Sequence, residues 1–194
     1  MKAFLDRNLW KRHSLLAGVD EAGRGPLAGP VVASAVILPR NFYHPQIDDS
    51  KKLTPHRRAR LYNIITQSAL SYCFGIVGPD VIDEINILNA TKRAMKYAVE
   101  NLALTPEVVL VDAVNIEGLS IKQIALIKGD TLSISIAAAS ILAKVKRDTI
   151  MTEYHRKYPR YHFHKHKGYP TKLHRICIKK YGPSPIHRKS FRLL

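Results

Sequence analysis

Ala17-Gly18-Val19-Asp20-Glu21-Ala22-Gly23-Arg24-Gly25-Pro26-Leu27-Ala28-Gly29-Pro30 decides how this chain is read. Two adjacent acids are followed by a glycine-rich turn, and apolar runs at 15–19 and 31–38, rich in Val, Leu, Ile and Ala, read as strands on either side. Asp20 and Glu21 therefore fall where the first strand ends. Carboxylates there can hold a hard divalent cation. Glycines let the backbone approach a ligand that a side chain would keep away.

Outward from that turn the pattern alternates. Thr54-Pro55 reads as an N-cap with proline at the first helical position, and Leu61, Ile64, Ile65 and Leu70 give a helical face. Residues 72–77 read as a strand punctuated by Gly78-Pro79. A second helical stripe opens at Asp80 and stops before Pro106. Val108 to Val111 is a short buried-strand pattern ending at Asp112, and 121–127 reads as a further strand before Lys128-Gly129-Asp130. An Ala-rich helix runs from Ser133 or Ser135 towards Tyr154. The order implies an α/β fold, a mixed sheet flanked by helices, with a basic helical C-terminal region.

Composition narrows the class of partner. The 194 residues suffice for one domain, 1–194, and 46% hydrophobic residues exclude a disordered chain. Lys and Arg outnumber Asp and Glu 31 to 15, a net charge of +16, which favours a polyanion bound through its phosphates. Residues 151–194 hold twelve of those cations and one acid, Glu153, so the footprint lies there. Tyr154, Tyr158, Tyr161, Tyr169 and Tyr181 stand among them, and flat rings beside cations suit stacking on sugars or bases. Cys73 and Cys177 lack metal or disulfide spacing and read as free thiols. The first fourteen residues lack the apolar core of a signal peptide, and no run is long enough to span a bilayer. The expectation is a cytoplasmic chain with no membrane partner.

Asp20, Glu21, Asp112 and Asp130 stand at the ends of three expected strands, where sites form in open α/β sheets. Like charges brought together raise one another's pKa, and divalent cations are the natural compensation. Taken singly, each acid is equally a helix or turn cap. His162, His164 and His166 read as polar or phosphate-facing rather than as zinc ligands, because the intervening Lys165 and following Lys167 repel a cation and no acid or cysteine lies near in sequence.

The motifs resemble the ribonuclease HII family over nearly the whole length. Its glycine-rich opening is Asp20 to Pro30, its second block Asp49-Ser50-Lys51-Lys52-Leu53, and its third Lys128-Gly129-Asp130 with Ile136 to Val145. The C-terminal blocks are His166-Lys167-Gly168-Tyr169-Pro170-Thr171 and Tyr181-Gly182-Pro183. The resemblance implies a ribonuclease H-like sheet in which Asp20, Glu21, Asp112 and Asp130 are the catalytic, metal-binding positions. It further implies Mg2+ or Mn2+, two ions during catalysis. The implied substrates are RNA–DNA hybrids and duplex DNA carrying single ribonucleotides, incised on the 5′ side to leave 3′-hydroxyl and 5′-phosphate ends.

By the same resemblance Gly23-Arg24-Gly25 reads the ribose 2′-hydroxyl and Tyr169 packs on the neighbouring deoxyribose. Ser50, Lys51 and Lys167 are candidate phosphate contacts. A monomer is expected, with residues 151–194 as its substrate-binding region. Two other readings stand beside this one. A basic RNA-binding protein explains the cations but not the four acids. The related type 3 enzyme carries an added N-terminal domain, for which the nineteen residues before Asp20 are too few.

Overall fold

The computed structural model describes residues 3–47, 50 and 53–194, so Asp49, Lys51 and Lys52 lie outside the described residues. After helix α1 (Ala3–Trp10) come strands β1 (Leu16–Ala22) and β2 (Val31–Ile37), helix α2 (Pro55–Ser68), β3 (Ser71–Val77) and α3 (Pro79–Glu100). Then follow β4 (Val108–Asp112), β5 (Lys122–Leu126), a short α4 (Gly129–Leu132) and the long α5 (Ile134–Lys157). A single 3-10 turn (Pro159–Tyr161), α6 (Phe163–His166) and α7 (Lys172–Tyr181) complete the chain.

The five strands form one sheet in the order β3-β2-β1-β4-β5. β1 pairs antiparallel with β2 and parallel with β4, and β4 pairs parallel with β5. β2 is buried at every position because helices cover both faces. One core, including Leu16, Val36, Leu110, Ile141 and Leu142, lies on the α5 side. The other, including Val19, Ala33, Met95 and Val111, lies on the α3 side. Every strand expected from sequence is present, within one residue at its ends except that β1 runs three residues past its expected end.

Three details differ from the expectation, and a fourth adds to it. Asp20 and Glu21 lie inside β1 rather than beyond its end, because antiparallel pairing with β2 holds the strand as far as Ala22↔Val32. Asp130 lies in α4, four residues past the end of β5, after Lys128 has turned the chain through a left-handed conformation. The α3 stripe is broken at Asn86 (φ 64°), whose side-chain oxygen caps a new helical start by accepting from the Leu88 and Asn89 N–H groups. The basic C-terminal quarter is folded, with a small core of its own that includes Met151, Tyr161, Phe163, Cys177 and Ile186.

That last core changes the reading of the tyrosines. Tyr161 is interior, its hydroxyl donating to the Gly182 carbonyl at 2.8 Å. Tyr154 and Tyr158 pack against the same core. Tyr169 and Tyr181 are the exposed members, at 38% and 42% of their surface. Both cysteines are free thiols. Among the described residues no helix is long and apolar enough to cross a membrane.

Candidate active site

Strand register brings the acids together. The parallel pairing of β1 with β4 ends at Val19↔Val111, so one further step sets Asp20 abreast of Asp112 where β4 stops. The Asp112 carboxylate accepts the Gly129 N–H at 2.7 Å, which ties the end of β4 to the turn carrying Asp130. Asp20, Glu21, Asp112 and Asp130 all line one cleft of about 340 Å³, with Gly23, Arg24, Gly25, Ser50, Ser140, Lys144 and Tyr169.

The electrostatics of this cleft are unfavourable to the protein alone. Asp20 is 6% exposed and accepts the Glu21 N–H at 2.7 Å. Burial, and then the charges of Glu21 and Asp112, hold its carboxyl well above the usual range, against lowering hydrogen bonds from Ser140 and the Glu21 amide. Glu21 is also raised, first by burial and with Asp112 adding to it, although Arg24 opposes the shift from 3.6 Å. The wall is built of oxygen donors, which suits a hard divalent cation. Among the described residues no three of these side chains form a ready-made ligand set. The acids surround a shared space rather than a closed coordination shell.

Two cleft residues were not assigned roles from sequence. Ser140, on α5, hydrogen-bonds Asp20 and lies 2.9 Å from the Ser50 hydroxyl, linking the second motif block to the acids. Lys144, one helical turn on, pairs with Asp148 at 2.7 Å and sits 5.6 Å from the centre of the Tyr169 ring. The i, i+4 spacing of two polar residues on an otherwise small-residue helix was the available signal. Lys144 and Tyr169 also line a larger neighbouring groove of about 750 Å³ with Arg58, Arg156, Lys165 and Lys167. The cleft thus opens onto a basic track.

The remaining candidates fall in two places. Gly23, Arg24, Gly25, Ser50 and Tyr169 share the cleft with the acids. Lys167 stands in the groove only, and its ammonium donates to the His164 carbonyl at 2.8 Å and the Thr152 hydroxyl at 3.1 Å. Lys51 lies outside the described residues. His166 is buried beneath the Tyr169 loop, where its ring stacks 4.3 Å from that of His174 and accepts from the Gly168 N–H.

The mixed sheet, the helices on its two faces and the acid-lined cleft at the end of β1 and β4 define a ribonuclease H-like α/β fold. Comparison with known proteins sharpens that class. A family model described as Ribonuclease HII matches residues 17–194. The Ribonuclease HII of Caldanaerobacter subterraneus subsp. tengcongensis is 55% identical over 189 residues, 97% of this chain and 78% of that relative. The ribonuclease H2 of Pyrococcus horikoshii OT3 superimposes with a TM-score of 0.76 at 29% identity, covering 92% of this chain and 94% of that one. The RNase HII in a PCNA:RNase HII complex from Archaeoglobus fulgidus gives a TM-score of 0.79 at 25% identity, over 93% and 96%.

The chain belongs to the ribonuclease HII family. It is accordingly an enzyme of the ribonuclease H class, endoribonucleases that act on RNA in RNA–DNA hybrids.

Proposed function

We propose that the cleft incises duplex DNA on the 5′ side of single embedded ribonucleotides as well as cutting the RNA strand of longer hybrids, leaving 3′-hydroxyl and 5′-phosphate ends. The observation that carries this reading is the convergence of four acids from three sequence-distant segments beside the Gly23-Arg24-Gly25 backbone in one cleft. Asp20, Glu21, Asp112 and Asp130 would hold two Mg2+ or Mn2+ ions, and their all-oxygen donor set fits either. Such ions supply positive charge at the scissile phosphate and favour ionisation of the attacking water. A raised Asp20 carboxyl supports the assignment, since a buried acid repelled by its neighbours ionises more easily beside a cation.

The protein's own part is orientation. Ser140 fixes Asp20 from the helix side, and Arg24 holds Glu21 from the loop side. The exposed Gly25 leaves room for close approach by a sugar: a methyl group added there meets nothing within 4 Å. Tyr169 stands at the junction of cleft and basic groove, suited to pack on the deoxyribose next to the ribonucleotide. The single domain spans 1–194, and residues 151–194 track the backbone with Ser50, Lys51 and Lys167 as phosphate contacts. We read the enzyme as a cytoplasmic monomer serving ribonucleotide excision and replication.

The test is a DNA duplex carrying one ribonucleotide, incubated with Mg2+ or Mn2+. Incision on its 5′ side is expected. Asp112→Asn is expected to abolish nicking while leaving affinity for the duplex in place, because the basic surface is untouched. Cutting of long hybrid tracts alone would overturn the single-ribonucleotide activity. No cutting with either metal would leave a nucleic-acid-binding protein.

A further inference from the structure

Behind the glycine loop lie two fully buried arginines, Arg147 and Arg188, each bonded to backbone carbonyls and, among the described residues, to no carboxylate. Arg147 donates to the carbonyls of Pro30 (3.0 Å), Lys167 (3.0 Å) and Ala28 (3.1 Å). Arg188 donates to those of Gly23 (2.6 Å), Arg24 (3.0 Å) and Gly29 (3.0 Å). A buried guanidinium is costly to desolvate, and without it the buried carbonyls it serves would be left unpaired. What this arrangement adds is direction.

In a trans peptide the C=O of one residue and the N–H of the next point in opposite senses, and no described peptide bond is cis. With the Gly23 and Arg24 carbonyls both drawn to one guanidinium, the N–H groups of Arg24 and Gly25 point away from it. Arg188 is interior and does not line the cleft, whereas Gly23, Arg24 and Gly25 do. Among the described residues neither N–H has a partner. The segment carrying Arg188 is fixed in turn: Arg188 N–H donates to the Leu27 carbonyl at 2.9 Å, and Asp83 accepts the next two N–H groups at 2.8 and 2.9 Å.

We infer that Arg188 is a positioning residue for substrate selection, whose fork of donors turns the Arg24 and Gly25 N–H groups into the cleft as a preset pair for a ribose hydroxyl. The inference rests on the proposed reading of ribose by this loop. Lysine at 188 keeps the charge but cannot hold three carbonyls in one plane.

The experiment compares binding of a duplex with one ribonucleotide and of the same duplex in all-DNA form, without divalent metal so that nothing is cut. Wild-type protein should prefer the ribonucleotide duplex. Arg188→Lys should lower that preference about tenfold, the effect of one misdirected hydrogen bond, while affinity for the all-DNA duplex stays the same. A merely structural arginine would weaken both alike. No preference in the wild type overturns the ribose-reading loop and the inference together. A preference that Arg188→Lys leaves intact overturns the inference alone.

Amide exchange on the wild-type protein tests the geometry even where the variant does not fold. The Arg24 and Gly25 amides should exchange freely in the free protein and slow on adding the ribonucleotide duplex. Protection of both before any substrate is added would contradict the inference.

Discussion

The glycine loop separates two charge problems of opposite sign that the fold treats in opposite ways. In front of it, Asp20 and Glu21 with Asp112 face an open cleft, with burial and mutual repulsion raising Asp20 and Glu21. Behind it, Arg147 and Arg188 are buried more completely, and burial pushes their pKa values down to about 10 and about 9, yet each is met by three carbonyls. The cations are satisfied by the protein's own dipoles and leave no space for a ligand. The acids are left short of positive charge beside a cavity. Charge that the fold neutralises serves architecture, and charge that it leaves exposed to a cleft marks where an external ion and substrate belong.

Asp20→Asn breaks the front of this comparison with the largest expected effect. Incision should fall by at least about 10³-fold, roughly 4 kcal/mol of barrier, while the thermal midpoint stays level or rises because a repelled, buried carboxyl has been removed. A drop in the midpoint without loss of incision would contradict the assignment. At the back, Arg147→Met removes a cation but strands three carbonyls, and urea denaturation should show a loss of about 3 kcal/mol. An unchanged midpoint would mean those hydrogen bonds do not hold the loop.

The two glycines sharpen the same contrast. Gly23 has φ +103°, and a methyl group there would sit 2.2 Å from the Arg147 side chain and 2.8 Å from the Pro30 carbonyl. Gly23→Ala should therefore cost roughly 2 kcal/mol or more of stability. Gly25→Ala meets no protein atom within 4 Å and should leave stability within about 0.5 kcal/mol while weakening turnover. Equal stability losses at the two positions would show that the loop's cleft side is packed rather than open.

The smallest effect concerns His166, His174 and His187, buried under the Tyr169 loop with ring nitrogens 3.0 Å apart between His174 and His187. Burial pushes each from the ordinary 6.5 to about 4. The unfolded chain then binds more protons between those values, so their contribution is complete above 6.5 and is lost as pH falls towards 4. The raised carboxyls of Asp6, Asp20 and Glu21 act with the opposite sign and offset part of it. Ring proton shifts followed by NMR should stay neutral to about 4, and a midpoint near 6.5 would refute the burial argument.

Much of this was legible in the sequence because β-strand runs and strand-adjacent acids have local signatures. The β1–β2 pair, the Thr54 cap, which accepts the Arg57 N–H, and the four acids follow from residue type and spacing. The arginines did not, since nothing local distinguishes Arg147 and Arg188 from the other basic residues of a +16 chain. Their roles depend on contacts across more than a hundred residues. Helix α1 was missed for the same reason. Its Asp6 is buried through four hydrogen bonds at the start of α5, from Ser133, Ile134 and twice from Ser135, partners 127 to 129 residues away.

The central claim, that four acids from three separate segments share cations in one cleft, is tested most directly by counting bound Mn2+ in the free protein by electron paramagnetic resonance. Wild-type protein should take up Mn2+ at a site that Asp20→Asn and Asp112→Asn each abolish or weaken by an order of magnitude or more, with folding intact. Binding that survives both substitutions unchanged would place the metal elsewhere and contradict the account.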